Sequence, residues 1–335
     1  MAVANSLSLC ARVTLDLHSL NNEGTEGNQQ QTRMVHIIDQ NGRRAVVNAI
    51  SGDMFKHIVV EHLLPLLEEA QQPLSPGAKV YDADRINTSQ KFVDFCEKEQ
   101  EFDANGKKEK RKAYESEILS KILTDCSLTD IAGTLVTRGR SVGRKSVVEL
   151  GWVVGLPQDG AGQPVTVTEQ YFHVKYAPEG RGAAAGGETV AGKQAIFHRP
   201  ASSGIYALIC NLDLYRIGLN DITRQYVVDQ PGRQARAQAL VRALAATLLK
   251  PTGAQRNTQN PHLVACEGVV TVSSTSLPSP TVSPLHDNYR EQIEQTATVL
   301  NSIKASGVIV KRFETLADGV KELADIAARL EVPGA

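Results

Sequence analysis

The stretch SLSLCARVTLDL, residues 6–17, constrains this chain most. Its residues alternate, with Leu7, Leu9, Ala11, Val13, Leu15 and Leu17 on one side and Ser8, Cys10, Arg12, Thr14 and Asp16 on the other. A period of two over twelve residues predicts a half-buried β-strand, because successive side chains of a strand point to opposite faces. The chain must therefore build a sheet and pack something against one side of it.

The following segments suggest what that is. NNEGTEGNQQQTR is polar and glycine-bearing and reads as a mobile loop. MVHIIDQNGRRAVVNAI holds two β-rich pieces around Asn41-Gly42, a short-hairpin signal because both residues tolerate positive φ. Ser51 is a candidate N-cap for a helix in which Phe55, Ile58, Val59, Leu63, Leu66 and Leu67 recur at helical spacing. Pro65 predicts a kink or break in that helix. From about 71 to 128 the pattern changes: QQPLSPGAKVYDADRINTSQ reads as a loop or linker, and the stretch after it is charged and helix-prone, with a break at Asn105-Gly106, and reads as an inserted helical subdomain. Its KKEKRK run suits either contact with nucleic acid or a solvated helix face. Strand character returns through VVELGWVVGL, where Val147, Glu149, Gly151 and Val153 oppose Val148, Leu150, Trp152 and Val154. A long hairpin with the Gly/Ala-rich tip EGRGAAAGGE follows. GIYALICNLDLYRIG reads as a strand, GRQARAQALVRALAATLLK as a helix, and VACEGVVTVSS as a strand. A helical region runs from about Asn288 to Leu330, with SGVIVKRF as a short strand inside it. The order strand, hairpin, helix, insertion, strands, helix, strand suits an α+β, ferredoxin-like core split by insertions.

Charge and cysteine usage narrow the chemistry. The 36 Lys+Arg and 37 Asp+Glu leave a net charge of -1, so only a local basic surface would serve a polyanion. Five scattered cysteines without a CxxC pair argue against a zinc ribbon and a disulfide framework. No leader or bilayer-spanning run is recognised, and a cytoplasmic protein with no membrane partner is expected. His57 and His62 are five residues apart and do not share a helix face, so no metal site is expected. GxSxG is missing, and capping or strand pairing explains Asp16 and Asp53 as well as general-base work does. No catalytic residue and no cofactor is assigned, and the chain is expected not to be an enzyme.

Three segments are candidates for binding. At the helix start, free N–H groups and the dipole favour an anion. Ser51 can cap or contact it, Gly52 permits close approach, and Lys56 and His57 stand about one turn on, with Asn48 just before. TRGRSVGRKS places Arg138, Arg140, Arg144 and Lys145 among glycines and can follow a sugar-phosphate backbone, or be a solvated loop. PTGAQRNTQNPHL offers Gly253, Arg256 and Asn257, or simply a helix-ending turn.

Taken in order, SLCARVTLDLHSLNNEGTEGN, AVVNAISGDMFKHIVVEHL, GIYALICNLDLYRIG and KPTGAQRNTQNPHL resemble the DevR-type CRISPR-associated family, the repeated backbone subunit of type I Cascade within the RAMP superfamily. The NAISGDMFKH block is the most specific part. The resemblance implies an RRM-like (ferredoxin-like) palm from 1–70, 129–159 and 204–275, helical fingers at 71–128, a β-hairpin thumb at 160–203, and a helical extension at 276–335. It implies copies stacked head to tail along CRISPR guide RNA, beside other Cascade subunits, presenting spacer bases to target DNA. It also implies that Asn48, Ser51, Lys56 and His57 contact guide-RNA backbone, with the Arg256–Asn257 loop as a second contact. Related type III subunits cleave RNA with an aspartate after the first strand. Here the loop has Glu23 and Glu26 instead, so no target cleavage is expected. A RAMP endoribonuclease and a DNA-binding autoregulator are the alternatives.

Overall fold

The structure is a computed structural model that describes residues 3–104, 107–158, 162–163, 165–175, 195–252, 256–303 and 307–334. Its framework is β1 (Ser6–His18), α1 (Gly52–Glu69), a broken strand β2 (Val148–Leu150 and Val153–Gly155), β3 (Ala195–Leu212), α2 (Gln230–Leu249) and β4 (His262–Ser273). The strands lie in the order β4–β1–β3–β2, antiparallel throughout. The hairpin Met34–Ile38/Arg44–Ile50 widens the sheet beyond β2, through Ile50 opposite Val153. After α3 (Tyr289–Ile303), β5 (Val308–Phe313) widens it beyond β4, and α4 (Leu316–Arg329) closes the chain. The result is a mixed helix-and-sheet protein with an antiparallel sheet, as the order of elements predicts.

One buried cluster holds it together. Leu7, Leu9, Ala11, Val13 and Leu15 of β1 belong to it, as do Ile58, Val59, Leu63 and Leu67 of α1, and Leu240, Val241, Leu244 and Leu248 of α2. Ile86, Phe92, Ile118, Leu119, Ile122 and Leu123 of the 71–128 segment join the same cluster. That segment thus adds to the central core instead of building a separate one.

Several local expectations need correcting. Alternation in β1 fails after Leu15. There Leu15 faces Gly204 and His18 faces Ser202, so three steps on one strand meet two on the other. The extra residue is a bulge, which reverses side-chain parity. Leu17, at φ 54°, is left exposed, and His18 turns inward. The other face of β1 is also covered. Cys10 packs with Val269, Tyr289 and Ile293, while Arg12 bonds the Pro284 carbonyl at 2.8 Å and Asp287 at 3.0 Å. Burying a side chain such as Ile293 is worth roughly 1.5–3 kcal/mol. Residues 276–303 therefore cap the sheet face that a period-two reading leaves to solvent.

The segment read as a mobile loop is a hairpin, Asn22–Glu26/Gln29–Thr32, turning at Gly27 with φ 61°. Pro65 does not interrupt α1. Proline lacks the N–H that would bond the carbonyl of Glu61, and the Tyr81 hydroxyl donates to that carbonyl instead, at 2.7 Å. In the insertion, KKEKRK is not helical. Lys107–Arg111 pairs with Gln100–Ala104, and across this ladder Lys108 is ion-paired with Glu101 at 3.1 Å. The partner strand therefore answers part of the basic run with an acid. β2 is not one strand either, because Leu150 opposes Cys210 while Val154 opposes Ala207. Four steps meet three, and the bulge falls at Gly151–Val153.

Where the long hairpin is expected, Thr166–Lys175 pairs antiparallel with the first half of β3 as a ribbon. Its sequence-predicted tip, EGRGAAAGGE, lies outside the described residues.

Candidate nucleic-acid interface

The start of α1 is built as the cap pattern requires. Ser51 has φ -64° and ψ 149°, and its hydroxyl accepts from the Met54 N–H at 3.2 Å. The Ser51 N–H donates to Asn21 Oδ1 at 2.8 Å, which ties the turn to the end of β1. At Gly52 a backbone does approach closely, and it is the protein's own. A Cβ there would lie 2.5 Å from the Leu150 carbonyl and 3.3 Å from that of Gly151, so the glycine lets α1 rest against β2. Gly52→Ala is expected to lower stability by about 1–3 kcal/mol, since only backbone can yield. An unchanged melting temperature would refute this packing role.

Asn48 is also corrected. It is buried, its amide donating to Thr32 Oγ1 at 3.1 Å and the Arg33 carbonyl at 3.0 Å, while its Oδ1 accepts from Tyr206 at 3.0 Å. Its polar atoms are spent holding the strand that delivers Ser51. Arg144 is likewise internal. Its guanidinium bonds Asp130 at 2.7 Å and Asp221 at 2.8 Å, with further bonds to the Leu219 and Arg216 carbonyls. The segment around it is a hairpin, Thr134–Val136/Val142–Arg144, not an open basic track. Arg140 pairs with Glu115 at 3.1 Å, Arg138 stands 3.9 Å from Glu97, and Lys145 pairs with Glu149 at 3.3 Å. Such exposed pairs are each worth at most about 1 kcal/mol, so they leave these cations exchangeable.

Lys56 and His57 do face outward. His57 Nε2 lies 3.6 Å from Glu61, one turn along. Lys56 lines two adjoining depressions. One is walled by Arg33, Ser51, Gly52, Asp53, Glu149 and Trp152, the other by Asp53, His57, Arg85, Gly133 and Thr134. Together they form a groove across the first turn of α1. Burial lowers the pKa of the Lys56 ammonium, repulsion from Arg85 lowers it further, and Asp53 offsets part of this. Arg85 is lowered by burial too, and donates to the Gly133 carbonyl at 2.7 Å. Two partly desolvated cations thus share one groove, an arrangement that an anion would relieve. Tyr81 and Arg85 both hold left-handed backbone, at φ 58° and 43°, a conformation uncommon for such residues and enriched near binding sites.

The second predicted loop reaches the same neighbourhood. The His62 ring bonds the Lys250 carbonyl at 2.8 Å, and Thr252 bonds Glu61, the residue beside His57. Gly253 lies outside the described residues. Arg256 and Asn257 begin a turn whose Thr258 accepts from Arg199 at 3.3 Å, at the base of the ribbon. Sequence reading missed Arg33, Arg85 and Trp152 as groove residues. The signal available was Trp152, the single tryptophan, set in an otherwise apolar strand.

No group of three or more potential metal ligands occurs among the described residues, nor does a helix long and apolar enough to cross a membrane. No curated protein matches the chain. Among solved structures, a chain of a CRISPR RNA-guided surveillance complex, pre-nicking, aligns over 97% of this chain and 99% of its own, at 13% identity and a TM-score of 0.50. It shares the fold. A chain of a second CRISPR RNA-guided surveillance complex aligns over 97% and 99% at 12% identity and a TM-score of 0.45. Csc2 of Thermofilum pendens aligns over 100% and 92% at 12% identity and a TM-score of 0.37. A family model described as the CRISPR-associated negative auto-regulator DevR/Csa2 matches residues 9–294, which include most of β1, the α1 groove, the ribbon and α2 through β4, and so the chain belongs to the DevR/Csa2 CRISPR-associated family.

Proposed function

We propose that this chain is the backbone subunit of a type I Cascade complex, gripping CRISPR guide RNA by its sugar-phosphate chain and stacking head to tail along it. The observation that carries this reading is the groove at the start of α1, where Lys56 and Arg85 stand as partly buried, mutually repelling cations. Phosphate contacts position a strand without reading its sequence, which an RNA of arbitrary spacer demands. The sheet order β4–β1–β3–β2, with α1 and α2 as crossovers, supports an RRM-like palm. Its open face is occupied by Tyr289, Ile293 and their neighbours, so the RNA is assigned to the flank of the palm. The ribbon serves as the thumb. Its exposed Val167, Tyr171, Phe172 and Val174 offer apolar surface to a neighbouring copy or strand. The segment 71–128 serves as the fingers. The reading gives the chain no chemical step; base pairing to target DNA is done by the guide, in the cytoplasm.

Co-purification with CRISPR RNA, followed by sizing, tests the assembly. Long ribonucleoprotein particles are expected, and a monomer free of RNA would count against it. Lys56→Ala is expected to weaken binding of unrelated guide sequences alike, about 3- to 10-fold, and to reduce the slope of log K against log salt by about 1. Loss confined to one sequence would refute the phosphate assignment. The family's description as an auto-regulator makes duplex-DNA binding without guide RNA the competing outcome.

A further inference from the structure

Trp152 is the one tryptophan of the chain, yet it stands 46% exposed on the wall of the α1 groove. Its position is produced by the bulge at Gly151–Val153, which interrupts a strand whose flanking Val148 and Val153 are buried. Bulges of this kind re-aim single side chains and gather beside functional sites. Arg33 lies over the indole, its guanidinium carbon 5.1 Å from the ring centroid, and is ion-paired with Glu23. Its backbone is held at both ends. Its N–H bonds the Asn21 carbonyl, and its own carbonyl accepts from Ala49 N–H and the Asn48 amide, each at 3.0 Å. The ring therefore sits in a prearranged setting.

The two ends of the groove share Lys56 and Asp53. Arg85 and His57 stand at one end. Arg33 and Glu149 line the end that Trp152 occupies, where the Glu149 carboxylate could accept the N–H edge of a base. We infer that Trp152 is a stacking site for one nucleobase of a bound single strand, with the adjoining phosphate on the Lys56–Arg85 side. This deepens the RNA-gripping reading and rests on it. Stacking is tolerant of sequence, since every base has a π-face, so it is compatible with an arbitrary spacer. One ring per chain is not the broad aromatic platform whose absence the 5% aromatic content suggests.

A single tryptophan makes the indole emission a private reporter. The full-length chain is titrated with an oligouridine and with an abasic oligomer of equal length, binding being followed independently by anisotropy of a terminal dye. Oligouridine is expected to bind and quench the emission, and the abasic strand to bind about tenfold more weakly without quenching. Trp152→Ala should lower oligouridine affinity about tenfold and leave abasic affinity and the salt slope unchanged; Trp152→Phe should recover most of the loss. Oligouridine binding with unquenched emission, or with unaltered affinity in Trp152→Ala, overturns the stacking site while leaving the phosphate grip standing. Failure of both oligomers to bind overturns the grip, and the stacking site with it.

Discussion

Asp130→Asn is expected to cost about 3–5 kcal/mol of folding stability, a large share of a typical domain's total. Asp130 is fully buried. Its Oδ1 accepts from Arg144 at 2.7 Å, and its Oδ2 accepts from Arg236 at 2.8 Å and from the Gly218 N–H at 2.9 Å. Arg236 comes from α2 and Arg144 from the hairpin after the insertion, so one carboxylate joins three distant parts of the chain. An amide of equal size keeps the shape but leaves Arg236 buried without its carboxylate partner. Uncompensated buried charge is what makes such losses large. Arg144 retains Asp221, which is itself partly exposed and shared with Arg216 at 3.1 Å. Asp221→Asn is therefore expected to cost only about 1–2 kcal/mol, the scale of a hydrogen bond to a charged group. Urea denaturation of the two variants measures the difference. Equal midpoints would remove Asp130 from the centre of this network.

Stability is expected to fall by about 3 kcal/mol as pH drops from 6.5 to 4, on account of His18 alone. The bulge in β1 buries this ring against Tyr206, centroids 4.8 Å apart at 73°. Burial lowers its pKa to about 4. Its Nδ1 accepts from the Leu20 N–H at 3.4 Å, so the proton sits on Nε2, which is buried without a partner. Below pH 6.5 the unfolded chain takes up a proton that the folded chain refuses until about pH 4. The neutral ring's stabilising contribution is thus complete above the unfolded pKa and lost through that window. His18→Phe keeps an aromatic ring beside Tyr206 and removes the titration. The stability difference between parent and variant, followed by denaturation from pH 7 to 4, should change by that amount. A constant difference would show that His18 does not carry the acid sensitivity.

What the sequence disclosed was local. Alternation in β1, the Asn41-Gly42 turn, the Ser51 cap and the stripes of α1 and α2 are set by neighbours within a few residues, and each appears in the fold. What it concealed depends on partners far along the chain. Asn48 and Arg144 look like surface donors until Tyr206, Asp130 and Asp221 close over them. KKEKRK looks open to solvent until Glu101 is laid across from it and pairs with Lys108. The two single-residue bulges defeat a period-two reading, because alternation has no way to mark where a strand skips. They are also why His18 lies inside and Trp152 outside. Of the groove, Ser51, Lys56 and His57 were legible. Arg33, Arg85 and Trp152 were not, since each reaches it from another element.

Pro65 has a consequence beyond helix geometry. By leaving the Glu61 carbonyl vacant for Tyr81, it clips the segment bearing Arg85 to the helix bearing Lys56. The two cations are thereby held like the jaws of a calliper whose gap is gauged by one imino acid nine residues from Lys56 and more than three turns from the start of its helix. A change at that proline would alter the width between Lys56 and Arg85, with no charge altered.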